Sequence, residues 1–181
     1  MIISNWKRKL QITIYRLRAQ IMEAKLSDIE KKIGVTFKNK DLLQQAFVHR
    51  SYLNENKSFH LEHNERLEFL GDACLELIVT DYLYSNFPNP EGELTNWRAA
   101  LVRGAMISQI AKKLGYEDYL LLSRGEAKST GRARELILAN TFEAVLGAVY
   151  LDMGYKSADK LVKKFLIPRL PEILDKKLYN D

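Results

Sequence analysis

A single cysteine, Cys74, rules out a disulfide framework within the chain and points to a reducing, intracellular setting. Lysine is missing between His60 and Trp97, and Arg66 is the only arginine in that stretch. Solvated helix faces ordinarily mix charges of both signs at i, i+4, so a segment this poor in base is not the usual salt-bridged surface helix. Residues 1–26 lack a continuous apolar run, since charges recur every few positions, and they lack a small-residue cleavage site. Both a transmembrane span and a secretory signal are excluded there, and no stable membrane association is expected.

What is present is a 181-residue chain with 46% hydrophobic side chains, enough for one domain with a substantial core, and a net charge of +5. Against that positive balance the stretch His63-Asn64-Glu65-Arg66-Leu67-Glu68-Phe69-Leu70-Gly71-Asp72-Ala73 is acidic. Read as a helix at about 100° per residue, it sets Glu65, Glu68 and Asp72 within an arc of roughly 60°, with Arg66 pointing away. Leu67, Leu70, Cys74, Leu77 and Ile78 fall on the opposite face, so the helix has a core side and an acid side, and Cys74 reads as packing. Crowded carboxylates repel one another unless a proton or a cation relieves them. Spacing alone leaves two readings, a metal or catalytic centre and a plain acidic surface. A positive surface around a negative centre suits a polyanion held over a cation site.

In chain order, Ile3, Trp6, Leu10, Ile14, Leu17 and Ile21 recur at spacings of three and four, with Lys7, Arg8, Arg16 and Lys25 on other faces. Residues 1–26 therefore read as a basic amphipathic helix docked on the domain or on its twin, with RNA, a membrane surface or an organelle importer as further partners of such a helix. A cytoplasmic location is expected, or an organelle if this helix is a targeting segment. Ser27 is expected to cap a helix from Asp28 to Ile33, with Glu30 completing a capping box and Gly34 ending it, and Asn39 to cap the next. The acidic helix should run from about Glu62 to Phe87, where Pro88 and Pro90 stop it. Phe69 lies beside the acid arc and away from the leucine face, which marks it as an interface anchor, and Glu76 joins the arc one turn past Asp72 as a surface or supporting residue.

Glu91 and Glu93 sit where a carboxylate favours a helix start. Two glycines, hydroxyl residues and bases between Leu122 and Arg134 make a flexible loop, in which Arg124, Lys128, Ser129 and Arg132 are candidates for phosphate contact. A helix from about Arg134 to Leu151 is apolar almost all round and belongs in the core, with Asn140 and Glu143, three apart, as its exceptions. A carboxylate in so apolar a helix needs a partner.

NERLEFLGDA at 64–73 resembles the signature of the ribonuclease III family, enzymes that cut double-stranded RNA. HRSYLNE at 49–55, EGEL at 91–94, RAALVRG at 98–104 and ILANTFEAVLGAVYLD at 137–152 are similar to the family's further blocks, in the family's order. The resemblance covers about residues 27–175. It implies an all-α fold, a helical bundle that forms a homodimer, with Phe69 as a knob entering a socket on the partner subunit. It implies a magnesium site, open to manganese, built from Glu68, Asp72, Asn140 and Glu143, with Asp72 and Glu143 as the catalytic pair and Glu65 and Glu91 at the substrate edge. The family pattern has aspartate where this chain has Asn140, which leaves the site one negative charge short and predicts weaker metal binding.

The implied activity is Mg2+-dependent hydrolysis of double-stranded RNA, giving 5′-phosphate and 3′-hydroxyl ends with short 3′ overhangs, in RNA processing such as rRNA maturation. Recognition would rest on the shape and phosphates of the A-form duplex. The alternative, favoured by Asn140, is a weakened or inactive dimeric RNA-binding or ribosome-associated module. Residues 176–181 resemble the start of the family's linker to a double-stranded RNA-binding domain, so a nuclease domain cut from a longer protein is expected, with weak, salt-dependent RNA affinity.

Overall fold

Helix is the only extended regular structure among the described residues, and the one bridge, Val48 to Leu121, is isolated and parallel. A computed structural model of the chain describes Thr13 and residues 20–177. The chain divides into two units, Met1–Thr36 and Phe37–Asp181. In the first, helix α1 runs unbroken over 20–33. Ser27 is therefore a mid-helix residue rather than a cap: no glycine or proline interrupts 20–33, and the turns before Ser27 run into those after it without a break. Gly34 does end the helix, at φ 82°, with its N–H and that of Val35 both donated to the Glu30 carbonyl. The amphipathic pattern of residues 1–19, Thr13 excepted, lies outside the described residues, as do residues 178–181.

The second unit holds α2 (Lys40–Ala46), α3 (Arg50–Glu55), α4 (Glu65–Asn86), α5 (Glu91–Leu101), α6 (Gly104–Lys113), α7 (Gly131–Met153), α8 (Tyr155–Phe165) and α9 (Leu170–Asp175), with short 3₁₀ turns between some of them. Asn39 caps α2 as expected, its side-chain oxygen accepting from the Asp41 N–H at 3.0 Å. The start of α2 is also tied to the far end of α7, where Asp152 accepts the backbone N–H groups of Lys38 (2.7 Å) and Asn39 (3.0 Å). The acidic helix α4 begins at Glu65, three residues later than its periodicity predicts. Asn64 donates its backbone N–H to Val48 and its side-chain amide to Ala46, which draws the preceding chain off the helical path. Between Ala46 and Asn64 the 47–49 segment is fixed again by His49 N–H to the Leu121 carbonyl and Leu121 N–H to that of Phe47.

The core is built on α4 and α7, the most extensively packed pair of helices. Helix α7 is long and apolar enough to cross a membrane, but most of its apolar stretch is buried among the other helices, which makes it the core helix. Two glycines let the pair touch backbone to backbone. A Cβ on Gly71 would stand 1.8 Å from the carbonyl oxygen of Glu143, and a Cβ on Gly147 would stand 2.2 Å from that of Leu67. Leu67, Cys74 and Ile78 are buried on this side, and burial pushes the Cys74 thiol above its ordinary pKa. Leu77, expected with them, is 57% exposed, because the covered side of α4 is centred on Gly71, Leu75 and Ile78 rather than on the leucine face.

Gly147→Ala should therefore destabilise the chain by about 3 kcal/mol, since α4 and α7 must separate to admit one methyl group. Gly92→Ala in α5, where an added Cβ meets nothing within 4 Å, should be neutral or stabilise by up to about 1 kcal/mol. Urea unfolding of the two variants checks both values.

Candidate active site

Because Gly71 rests on the α7 backbone at Glu143, the residues at this contact and one turn before it are brought together across the helix pair. Glu68 and Asp72 of α4 meet Asn140 and Glu143 of α7. The Glu143 carboxyl is pushed up to about 8, first by burial and then by the charges of Asp72 and Glu68. Glu68 is also raised, by burial first and then by Glu65 and Asp72, while a hydrogen bond donated by the Asn140 amide favours its charged form. No base enters the balance at either group.

As placed, the acids do not close into one cage: among the described residues no three His, Cys, Asp or Glu side chains are gathered to hold a metal ion. Their chemistry nonetheless fits a hard divalent cation. The donors are all oxygen, the carboxylates repel one another, and the Asn140 carbonyl oxygen is left available when its amide serves Glu68.

The other acids of the arc are engaged elsewhere. Glu65 pairs with Arg50 (Oε1 to Nε, 3.2 Å) and lies 3.7 Å from His63 Nδ1. Glu76 pairs with Arg98 (3.0 Å), which also donates to the Thr80 hydroxyl. Glu91, expected near the cleavage centre, does not join the acids of α4 and α7. It accepts a hydrogen bond from Thr95 and lines a cavity with Thr80, Leu83 and Tyr84, roughly two to three turns of α4 beyond Asp72. Helical spacing fixes neighbours on one helix but says nothing of the distance between two, and this sets Glu91 apart.

Phe69 is 81% exposed, beside the acid centre and outside the core. Ala73, Leu77, Thr80 and Tyr84 continue an exposed stripe along α4 at spacings of four, four, three and four, ending at the cavity of about 550 Å³ that Glu91 helps to line. The 123–130 segment is not the open loop its composition predicts. Arg134, from the following helix, donates to the carbonyls of Ser129 (3.2 Å) and Ala127 (2.8 Å), and Glu55 accepts the Arg124 N–H. Arg124, Lys128 and Arg132 remain exposed, whereas the Ser129 hydroxyl is turned inward. Sequence reasoning missed Gly71, Gly147 and the partnership of Arg50 with Glu65. The two glycines carried a signal, small residues inside otherwise bulky helices, whereas the ion pair joins residues fifteen apart across a loop and carried none.

A family model described as Ribonuclease-III-like matches residues 39–170. Ribonuclease 3 of Streptococcus thermophilus is 46% identical over 143 residues, covering 78% of this chain and 62% of that protein, and ribonuclease 3 of Geobacillus kaustophilus is 45% identical over 150 residues, covering 82% and 61%. The chain thus spans about three fifths of the length of these relatives. Among solved structures, the nuclease domain of ribonuclease III from Campylobacter jejuni, whose description refers to a region involved in dimer formation, superposes with a TM-score of 0.71 at 35% identity, covering 80% of this chain and 97% of that one. Dicer from Giardia intestinalis, at 21% identity and a TM-score of 0.62, shares the fold.

The raised Glu143 carboxyl binds its proton more tightly folded than unfolded, so its charging costs stability as pH climbs from about 4.5 toward 8. In EDTA, the Tm of the wild type should fall relative to that of Glu143→Gln across that window and match it below. Added Mn2+ should raise the Tm of the wild type and leave that of the variant nearly unchanged. Asn140→Asp removes the amide from Glu68 and adds a fourth charge, so it should lower the metal-free Tm and bind Mn2+ at least about tenfold more tightly by calorimetric titration.

Proposed function

The chain belongs to the ribonuclease III family, and from that premise we propose that it is the nuclease domain of a double-stranded-RNA endoribonuclease that works as a homodimer. The observation that carries this reading is the Glu143 carboxyl, held up to about 8 by burial and by two acids from another helix, with no base to relieve it. Magnesium or manganese held by Glu68, Asp72, Glu143 and the Asn140 carbonyl would activate a water and neutralise charge on the scissile phosphate and leaving oxygen. The protein supplies the alignment: the α4–α7 backbone contact sets the acids side by side, and the Asn140 amide, donating to Glu68, favours its charged form against burial. Products with 5′ phosphates and 3′ hydroxyls follow from attack of water on the phosphorus with loss of the 3′ oxygen.

The α4 stripe supports a two-fold dimer. Phe69 lies near one end and Tyr84, with the cavity, at the other, so two α4 helices crossing antiparallel about a point near Leu77 set each Phe69 at the other's cavity. Leu83, Phe87, Pro88 and Leu94 give that cavity apolar walls suited to a phenyl ring. Since Glu91 lines the same cavity, docking Phe69 there carries the partner's Glu91 toward the Glu68 and Asp72 that flank Phe69. In this arrangement each centre draws its substrate-edge acid from the other subunit, and two centres act on one duplex, one per strand.

The second reading, a dimeric RNA-binding module without turnover, is favoured by Asn140 alone. Incubation with a long RNA duplex in Mg2+ at low salt separates the two. Cleavage to short duplexes with 3′ overhangs, abolished by Glu143→Gln, is the expected result, and binding without cleavage in both Mg2+ and Mn2+ would establish the module instead. Phe69→Ala should weaken dimerisation by about 2 kcal/mol or more, seen by sedimentation, and reduce cleavage with it.

A further inference from the structure

Along the acid face of α4, the residues at either end are paired with arginines while the middle is not. Glu65 meets Arg50, Glu76 meets Arg98, and Glu68 and Asp72 between them form no ion pair among the described residues: they act on each other and on Glu143, and Glu68 also meets the Asn140 amide and the charge of Glu65. The two arginines differ in what they have left. Arg98 is spent on two partners, its Nε on Glu76 and its Nη1 on the Thr80 hydroxyl, both at 3.0 Å. Arg50 gives only its Nε, to Glu65 at 3.2 Å, and its side chain is 66% exposed.

We propose that Arg50 is a phosphodiester-binding residue of the RNA cleft, aimed by Glu65, and that Glu65 is its positioning residue rather than a member of the ion-holding set. The inference rests on the nuclease reading and adds to it a contact on the substrate strand beside the scissile phosphate. With Nε given to Glu65, the Arg50 terminal nitrogens have no bonding partner among the described residues, which leaves the fork that matches two oxygens of one phosphate. The backbone beneath it is held: His49 N–H donates to Leu121, and the His49 ring caps α3 by accepting the Ser51 N–H. Asn64, directly before Glu65, is bonded to Val48 and Ala46, so both members of the pair stand on one anchored frame.

Electrostatics calls for such a residue. An RNA backbone entering a site of unpaired carboxylates meets repulsion everywhere except at the ion, and a fixed cation beside the centre offsets it. Glu65 lies seven residues before Asp72, roughly 10 Å along α4, so Arg50 meets the strand to one side of the cleavage point. An ordinary surface ion pair has the same contact distance and a value of about 0–1 kcal/mol, and the experiment must tell the two apart.

Binding of the full chain to a fluorescent RNA duplex is followed across a salt series in Mg2+, with Glu143→Gln as the background to block cleavage. Adding Arg50→Gln should weaken binding about tenfold and lower the slope of log K against log salt by about 0.9 per protomer. Arg50→Lys should restore the slope, because the charge returns, while recovering only part of the affinity, because the fork does not. With Glu143 intact, Arg50→Gln should raise KM about tenfold and leave kcat within about twofold. Unchanged affinity and slope would reduce Arg50 to a surface ion pair, and weaker binding at an unchanged slope would assign it a structural task; either overturns the proposal. A wild type that cleaves duplex while Arg50→Gln cleaves with the same KM defeats this proposal alone, whereas a wild type that neither binds nor cleaves duplex defeats the nuclease reading as well.

Discussion

The contact of α4 with α7 through bare backbone is the constraint on which the site depends. Helices separated by ordinary side chains stand about 8–10 Å apart, with those side chains filling the space between them. Gly71 against Glu143 and Gly147 against Leu67 remove that layer of side chains, and Glu68, Asp72 and Glu143 come to share one electrostatic environment as a result. The same contact costs stability at neutral pH, because it buries a carboxyl that would otherwise charge freely in water. Structure and chemistry pull in opposite directions here, which is the pattern expected where geometry is kept for function.

Charge is sorted along α4 with the same logic. Its paired ends, Glu65 with Arg50 and Glu76 with Arg98, are locally neutral, so the field of the uncompensated middle is confined to a short length of helix. Asn140 moderates that middle without neutralising it: an amide supplies a donor to Glu68 where an aspartate would add repulsion. The proposed dimer face runs beside this strip, so the exposed stripe from Phe69 to Tyr84 and the acid arc share one helix at slightly different angles. On the proposed reading, one element serves assembly and chemistry together.

Much of this was legible in the sequence because it is periodic. The acid arc, the exposure of Phe69, the Asn39 cap, the prolines after α4 and the core character of α7 all follow from spacing along a single helix. What could not be read depends on neighbours distant in the chain. Leu77 sits on the leucine face yet faces outward, because the wheel shows where apolar groups gather and not where the next helix lies. The start of α4 is set by Asn64 bonding to residues sixteen and eighteen positions earlier. Arg134 ties down a loop whose composition alone reads as mobile, and Glu91 is separated from its expected companions by a turn whose direction the sequence does not encode.

The carboxylate of Asp152 gives α7 the character of a ruler. Nine residues, roughly two and a half turns, separate it from Glu143, and it grips the first amides of the segment that leads through α2 to Val48, His49 and Arg50. An insertion or deletion of one residue inside that interval would rotate one grip by about 100° relative to the other, so the two could not be satisfied at once. The number of residues in this stretch is thus set by both grips at once, and it ties the acid centre to the frame that carries Arg50.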